Sequence, residues 1–153
     1  FARRAIHPRP EGRGFPRTSM TVQFSVAVRN GWLDNTETTI GASPKLQIRT
    51  GAQPANCAAA ATGTLLAEIT CPADWMAAAS AGTKVLAGSW TVAAVAAGTA
   101  AHYRIVNNAG TTCHEQGSVT LTGGDGDMTL DNTSIAAAQV VTITAKTLTA
   151  GGA

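Results

Sequence analysis

The feature that most restricts this chain is a change of apolar period at Lys45. Before it, apolar residues recur at helical intervals. After it they alternate, in short runs broken by turn residues at nearly regular spacing. "KLQIRT" puts Lys45, Gln47 and Arg49 on one side of a strand and Leu46 and Ile48 on the other. "TLLAEITC" sets Leu65, Ala67, Ile69 and Cys71 on one face and Glu68 and Thr70 on the other. A strand at Lys84–Leu86 follows, then "SWTVAAV", "AAHYRIV", "TTCHEQGSVTLT", "DMTLD" and "QVVTITAKTLT". Their separators, "AAGT", "NNAG", "GGDG" and "NTSIAAA", are turn-like. About eight short strands at this spacing predict a mainly β domain over residues 20–153: a single β-sandwich of jelly-roll or immunoglobulin-like type.

Upstream, Val28, Trp32, Thr36 and Ile40 lie four apart, Leu33 joins them, and Gly41 supplies a stop. The spacing predicts one short N-terminal amphipathic helix near residues 23–40, with Trp32 and Leu33 anchoring it on the sheet. Residues 1–19 differ in kind. Three prolines and five arginines against the single Glu11 predict a disordered or extended basic arm. "MTVQFSVAV" then reads as an ordinary protein start. The arm is either sequence upstream of that start or a strap over a neighbouring subunit.

Charge narrows the function. Beyond residue 19 there are six Lys and Arg against eight Asp and Glu, so the domain offers no basic face to nucleic acid. Only 13% of the chain is charged, about half the usual fraction of about 25%. Sparse surface charge weakens the barrier to self-association and points to an assembly component. No apolar run is long enough for a membrane-spanning helix. Cys57, Cys71 and Cys113 form neither a CxxC pair nor an even set. Three thiols behaving as small hydrophobes are favoured over one disulfide.

"RIVNNAGTTCHEQGSV" gathers His114, Cys113 and Glu115, with His102 just upstream. Adjacent Cys113 and His114 point to opposite faces of a strand and cannot share an ion. The segment reads as a β-hairpin. A two-residue turn at Ala109–Gly110 would pair Arg104 with Glu115; a four-residue turn at Asn107–Gly110 would pair Tyr103 with His114. Asp125, Asp127 and Asp131 in "GGDGDMTLDN" lack the spacing and closing Glu of a calcium loop and read as a solvated turn. No nucleophile elbow or phosphate-binding loop is present. No catalytic residue, cofactor or metal is expected.

The order "LQIRTGAQPANCAAAATGTLLAEI", "DWMAAASAGTKVLAGSW", "AAHYRIVNNAGTTCHEQGSV" and "GDMTLDNTSIAAAQVVTITAKTLTAGG" resembles small virion-associated proteins encoded in the structural cassettes of tailed bacteriophages and prophages. The resemblance covers roughly residues 20–153. It implies a non-enzymatic structural protein located on the virion. First among its roles is a capsid decoration or cement protein that stabilises the head by lattice contacts. The alternatives are a tail, collar or fibre component meeting the host surface, and a glycan-binding or adhesin-like module. The partners implied are the major capsid protein or other virion proteins and further copies of the chain, without direct nucleic-acid or membrane contact. Candidate interface anchors are Trp32, Leu33, Trp75, Met76 and Trp90.

Overall fold

A computed structural model describes residues 22–152; the basic arm expected at 1–19 lies outside them. The protein is mainly β, with one helix, α1 (Val26–Ile40), and ten strands among the described residues. The strands are β1 (Lys45–Arg49), β2 (Leu65–Thr70), β3 (Thr83–Val85), β4 (Thr91–Ala93), β5 (Gly98–Thr99), β6 (His102–Val106), β7 (Cys113–Leu121), β8 (Met128–Leu130), β9 (Ser134–Ile135) and β10 (Val140–Thr149).

The two stacked sheets of the expected sandwich are replaced by one continuous hydrogen-bonded path, β2-β1-β6-β7-β8-β10-β3, with β4 also on β10 and a separate β5–β9 ribbon. The path curls into a half-barrel because two long strands each serve successive partners. β7 pairs antiparallel with β6 along its first part and parallel with β8 at Val119–Leu121. β10 pairs with β4, then β8, then β3. The β2 end of the path approaches the chain just past β4, where Val95 N donates to Leu66 O at 2.8 Å.

Inside the curl lie Leu46, Ile48, Leu66, Trp75, Trp90, Tyr103, Ile105, Met128, Leu130 and Val141, all buried. The indoles of Trp75 and Trp90 sit 5.9 Å apart at a tilt of 40°, and Trp90 Nε1 donates to Ala87 O. β1 alternates as expected, with Leu46 and Ile48 inside. β2 departs from its expected face: a register shift opposite Ile48/Arg49 leaves Leu66 unpaired in the ladder and buried beside Ala67. β6 is buried on both faces. Tyr103 and Ile105 enter the core, whereas His102 and Arg104 are covered by the loop from Thr50 to Thr64.

α1 corrects the amphipathic expectation. Ser25 caps it through Oγ to Val28 N, and Gly41 (φ 91°) ends it, its N–H bonding Glu37 O at 2.9 Å. Leu33 and Ile40 are its only buried side chains. What faces the body is otherwise polar. Asn30 Oδ1 accepts from Gly82 N, Asp34 Oδ1 from Ala79 N, and Glu37 Oε1 from Met76 N. The Lys84 ammonium, almost fully buried, sits between Asp34 (2.7 Å) and Glu37 (2.9 Å). Burial pulls the lysine's proton affinity down, but the two carboxylates outweigh it and hold the group above its usual range. The helix is a polar plug for the backbone donors of the segment joining β2 to β3.

Candidate functional site

Three places carry unusual side chains. The first is the outer face of α1. Because the polar residues turn inward, Val26, Val28 and Trp32 project into solvent, continued by Val22 and Phe24. Trp32 is 47% exposed and Val22 69%. Phe24 meets Trp32 edge-on, ring centroids 4.6 Å apart. Its backbone N–H bonds Gly152 O at 2.7 Å, tying this end of the patch to the end of the sheet. Of the five residues singled out as interface anchors, Trp32 alone stands on the surface. Leu33, Trp75, Met76 and Trp90 are in the core, where the indoles and the thioether fill the curl of the sheet.

The second is a buried polar knot. Tyr103 Oη donates to Glu115 Oε1 at 2.5 Å and accepts from Lys146 Nζ at 2.6 Å, and Lys146 also pairs with Glu115. Sequence reasoning placed Arg104 or His114 opposite these residues instead. The hairpin itself is present, closed by Gly110 N to Asn107 O and Asn107 N to Thr112 O. Its register differs from both expected ones because a shift opposite Ile105/Val106 leaves His114 as the extra residue. Arg104 therefore faces Gln116, and Tyr103 faces Gly117. Gly117 is what admits the phenol, since a Cβ there would lie 2.7 Å from the Tyr103 ring and 2.9 Å from Asp127 Cβ. Burial, followed by the Glu115 carboxylate, raises the phenol far above its usual range and keeps it protonated. The knot holds charge inside the fold, with Glu115 Oε2 left without a hydrogen-bond partner among the described residues.

Asp127 borders it. Its Oδ2 accepts from both Ser118 N and Ser118 Oγ at 2.8 Å, and these bonds hold its carboxyl below the ordinary 3.8. A depressed acid stabilises the fold above its unfolded pKa, and that contribution is lost as pH falls through the folded one. Unfolding midpoints in urea should therefore decline through the acid range less steeply for Asp127→Asn than for the wild type. Asp131 is occupied separately, accepting from Asn132 N and Thr142 N. Among the described residues no three His, Cys, Asp or Glu side chains gather to hold a metal ion.

The third is the cleft between the Thr50–Thr64 loop and the outer face of β1, β6 and β7. Long side chains of that face grip loop carbonyls. Arg49 donates to Thr62 O and Gly63 O, Arg104 Nη2 to Cys57 O, and Gln116 Nε2 to Pro54 O. His102 Nδ1 lies 3.1 Å from Gly51 O. Burial, then the Arg49 and Arg104 guanidiniums, keep this imidazole below its ordinary value despite the Gly51 bond, hence neutral near pH 7. The three cysteines are free thiols. Cys71 is buried, and burial pushes its thiol up to about 12. Cys57 and Cys113 line the cleft together; burial, and next the neighbouring Cys113 thiol, raise Cys57 as well. None of this was visible in "GAQPANCAAAATG", whose partners are distant in sequence. The one local signal was an unusual share of long polar side chains, Gln47, Arg49, Arg104 and Gln116, on successive strands.

Among the described residues, no helix is long and apolar enough to cross a membrane. Compared with protein-family models, curated proteins and solved structures, the chain finds no match.

Proposed function

We propose that this chain is a non-enzymatic structural module that works by packing against copies of itself and neighbouring proteins of a phage particle, as a decoration or cement protein of the head. The observation that carries the assembly reading is the inverted polarity of α1. A helix that spends Asn30, Asp34 and Glu37 on its own domain and points Val26, Val28 and Trp32 at water has its apolar face set for another surface. The Phe24–Trp32 ring pair gives that face a rigid aromatic centre, the kind of residue that dominates interface energies. Repetition on a lattice converts weak contacts of this sort into strong attachment. The placement on a phage head rests on the sequence resemblance.

Trp32→Glu tests the reading. It removes the ring contact with Phe24, a kind of pair worth about 0.5–1.5 kcal/mol, and should leave the protein folded. It should nevertheless abolish self-association in sedimentation velocity and remove the protein from purified particles. Wild-type protein missing from the particles would refute the placement. A Trp32→Glu variant that associates and incorporates normally would refute the role of the helix face.

A further inference from the structure

The cleft under the Thr50–Thr64 loop carries an imbalance that assembly through α1 does not use. Arg104 is only 4% exposed, yet among the described residues it forms no ion pair, and its Nε is buried without an acceptor. Its one hydrogen bond is Nη2 to Cys57 O at 2.8 Å. Beside it stands a second cation, Arg49, three of whose five N–H donors go to Thr62 O, Gly63 O and Gln47 Oε1. Glu68, on the neighbouring strand, is committed to Gln47 Nε2 at 2.9 Å and to Lys45 at 3.5 Å. Among the described residues neither Arg49 nor Arg104 forms an ion pair.

A buried guanidinium without a counter-charge is costly, because its lost hydration is not recovered by backbone carbonyls alone. At Arg49, burial and then the Arg104 charge oppose protonation, against the pull of Glu68. Both arginines line an open cleft of about 330 Å³, with Gln47, Cys57, Thr111 and Cys113 on its walls. That is roughly ten times the share of one water in the liquid, about 30 Å³, so the space admits a polyatomic ligand. Arg104 Nη1 makes no hydrogen bond among the described residues and, unlike Nε, is not sealed from the cleft, so it is the donor left for an oxyanion, and the second positive charge favours a doubly charged one.

We infer that the cleft between the Thr50–Thr64 loop and β1, β6 and β7 is a binding site for a small dianionic oxyanion of the phosphate type, with Arg104 Nη1 as its hydrogen-bond donor and Arg49 as its second charge. Seated there, the anion neutralises the unpaired cation and fixes the loop to the sheet. It also covers the Cys57 and Cys113 thiols. Cys71, buried elsewhere in the core, is the internal reference.

Inorganic phosphate is the probe, with chloride at matched ionic strength as control. Binding to the folded state raises the melting temperature with the logarithm of phosphate concentration. Phosphate also stabilises folded proteins generally by exclusion from their surfaces, so site-specific readouts decide. In wild-type protein, phosphate is expected to shift the Arg104 Nε–Hε resonance saturably and to slow alkylation of Cys57 and Cys113 several-fold. Arg49→Gln, at a position less buried than Arg104, should weaken the phosphate dependence of all three readouts while remaining folded. An Arg104 resonance that phosphate moves no further than chloride overturns the inference. So does labelling of Cys57 and Cys113 that is insensitive to phosphate, or an Arg49→Gln response equal to the wild type.

Discussion

Lys146→Ala is expected to destabilise the fold by about 3–5 kcal/mol, the usual cost of stranding one member of a buried ion pair. The ammonium is almost fully buried, 2% exposed at its side chain, and its partner Glu115 only 17%. Removing it leaves Glu115 with the Tyr103 hydroxyl as its one remaining partner in the knot, since Glu115 Oε2 has none. A total stability of about 5–15 kcal/mol is typical of such domains, so the loss is a large share of the whole. It corresponds to a melting temperature lowered by about 6–20 °C. The double variant Lys146→Met, Glu115→Gln should recover most of it. Methionine fills the lysine's channel, the amide oxygen still accepts from Tyr103, and no charge is left buried. Thermal and urea unfolding of the three proteins make the comparison. A loss under about 1 kcal/mol in Lys146→Ala would mean that solvent screens the pair as it does at a surface.

Lys146 also shows where reading the sequence stops. "VVTITAKTLT" alternates cleanly, and continuing the phase of Val141 and Ile143 turns Ala145 and Thr147 inward with Lys146 in water. The structure reverses this, because β10 shifts register between Ile143 and Ala145 within its pairing with β8. A bulge costs one residue and leaves no compositional mark, so every side chain beyond it changes face. The same device buried Leu66 in β2 and moved the hairpin partners of Tyr103 and Arg104. The alternation of β1, the hairpin at Asn107–Thr112 and the β-rich class were legible because each is decided within a few residues. A sandwich and a curled sheet share that local pattern. They differ in whether long strands such as β7 and β10 change partners, which is settled between segments far apart.

α1 was misread for a related reason. The spacing of Val28, Trp32, Thr36 and Ile40 describes an apolar stripe, and burying it on the sheet would normally be favoured. Asn30, Asp34 and Glu37 lie on another face of the same helix, and they meet backbone N–H groups at Met76, Ala79 and Gly82. Those donors belong to a segment with little strand pairing of its own, and an unsatisfied buried N–H costs about 1–3 kcal/mol. Lys84 adds a charge that only Asp34 and Glu37 answer. Several such contacts together outweigh the transfer of a few valine side chains, at about 1.5–3 kcal/mol each when fully buried. Val28 and Trp32 are consequently left outside, where the proposed assembly contact needs them, while Ile40 and Leu33 stay buried.

Gly63→Ala is the second substitution with a large expected effect, and it tests the loop that forms the roof of the anion cleft. Gly63 adopts φ +66°, and a Cβ there would stand 1.8 Å from Thr50 O and 2.7 Å from Thr50 C. Neither is the tip of a flexible side chain. Thr50 is fixed at this point by two contacts with Thr64, its N–H to Thr64 O and its Oγ1 from Thr64 N. A left-handed non-glycine residue costs about 1–2 kcal/mol, and overpacking against atoms that cannot yield adds about 1–3 kcal/mol. The chain can relieve the clash only by opening the Thr50–Thr64 closure, which withdraws the Gly63 carbonyl from Arg49 Nη2 and disturbs the neighbouring Thr62 carbonyl on Arg49 Nε. Gly63→Ala should therefore lose about 2–5 kcal/mol of stability, and amide exchange should rise first across residues 50–64 while β6 and β10 stay protected. If exchange rises evenly over the whole sheet, the loop is an integral part of the core instead of a separately held cover. A loss below about 0.5 kcal/mol would show that the Thr50–Thr64 closure is open for much of the time in the native protein, and the row of Arg49, Arg104 and Gln116 would then grip a cover too loose to define a cleft.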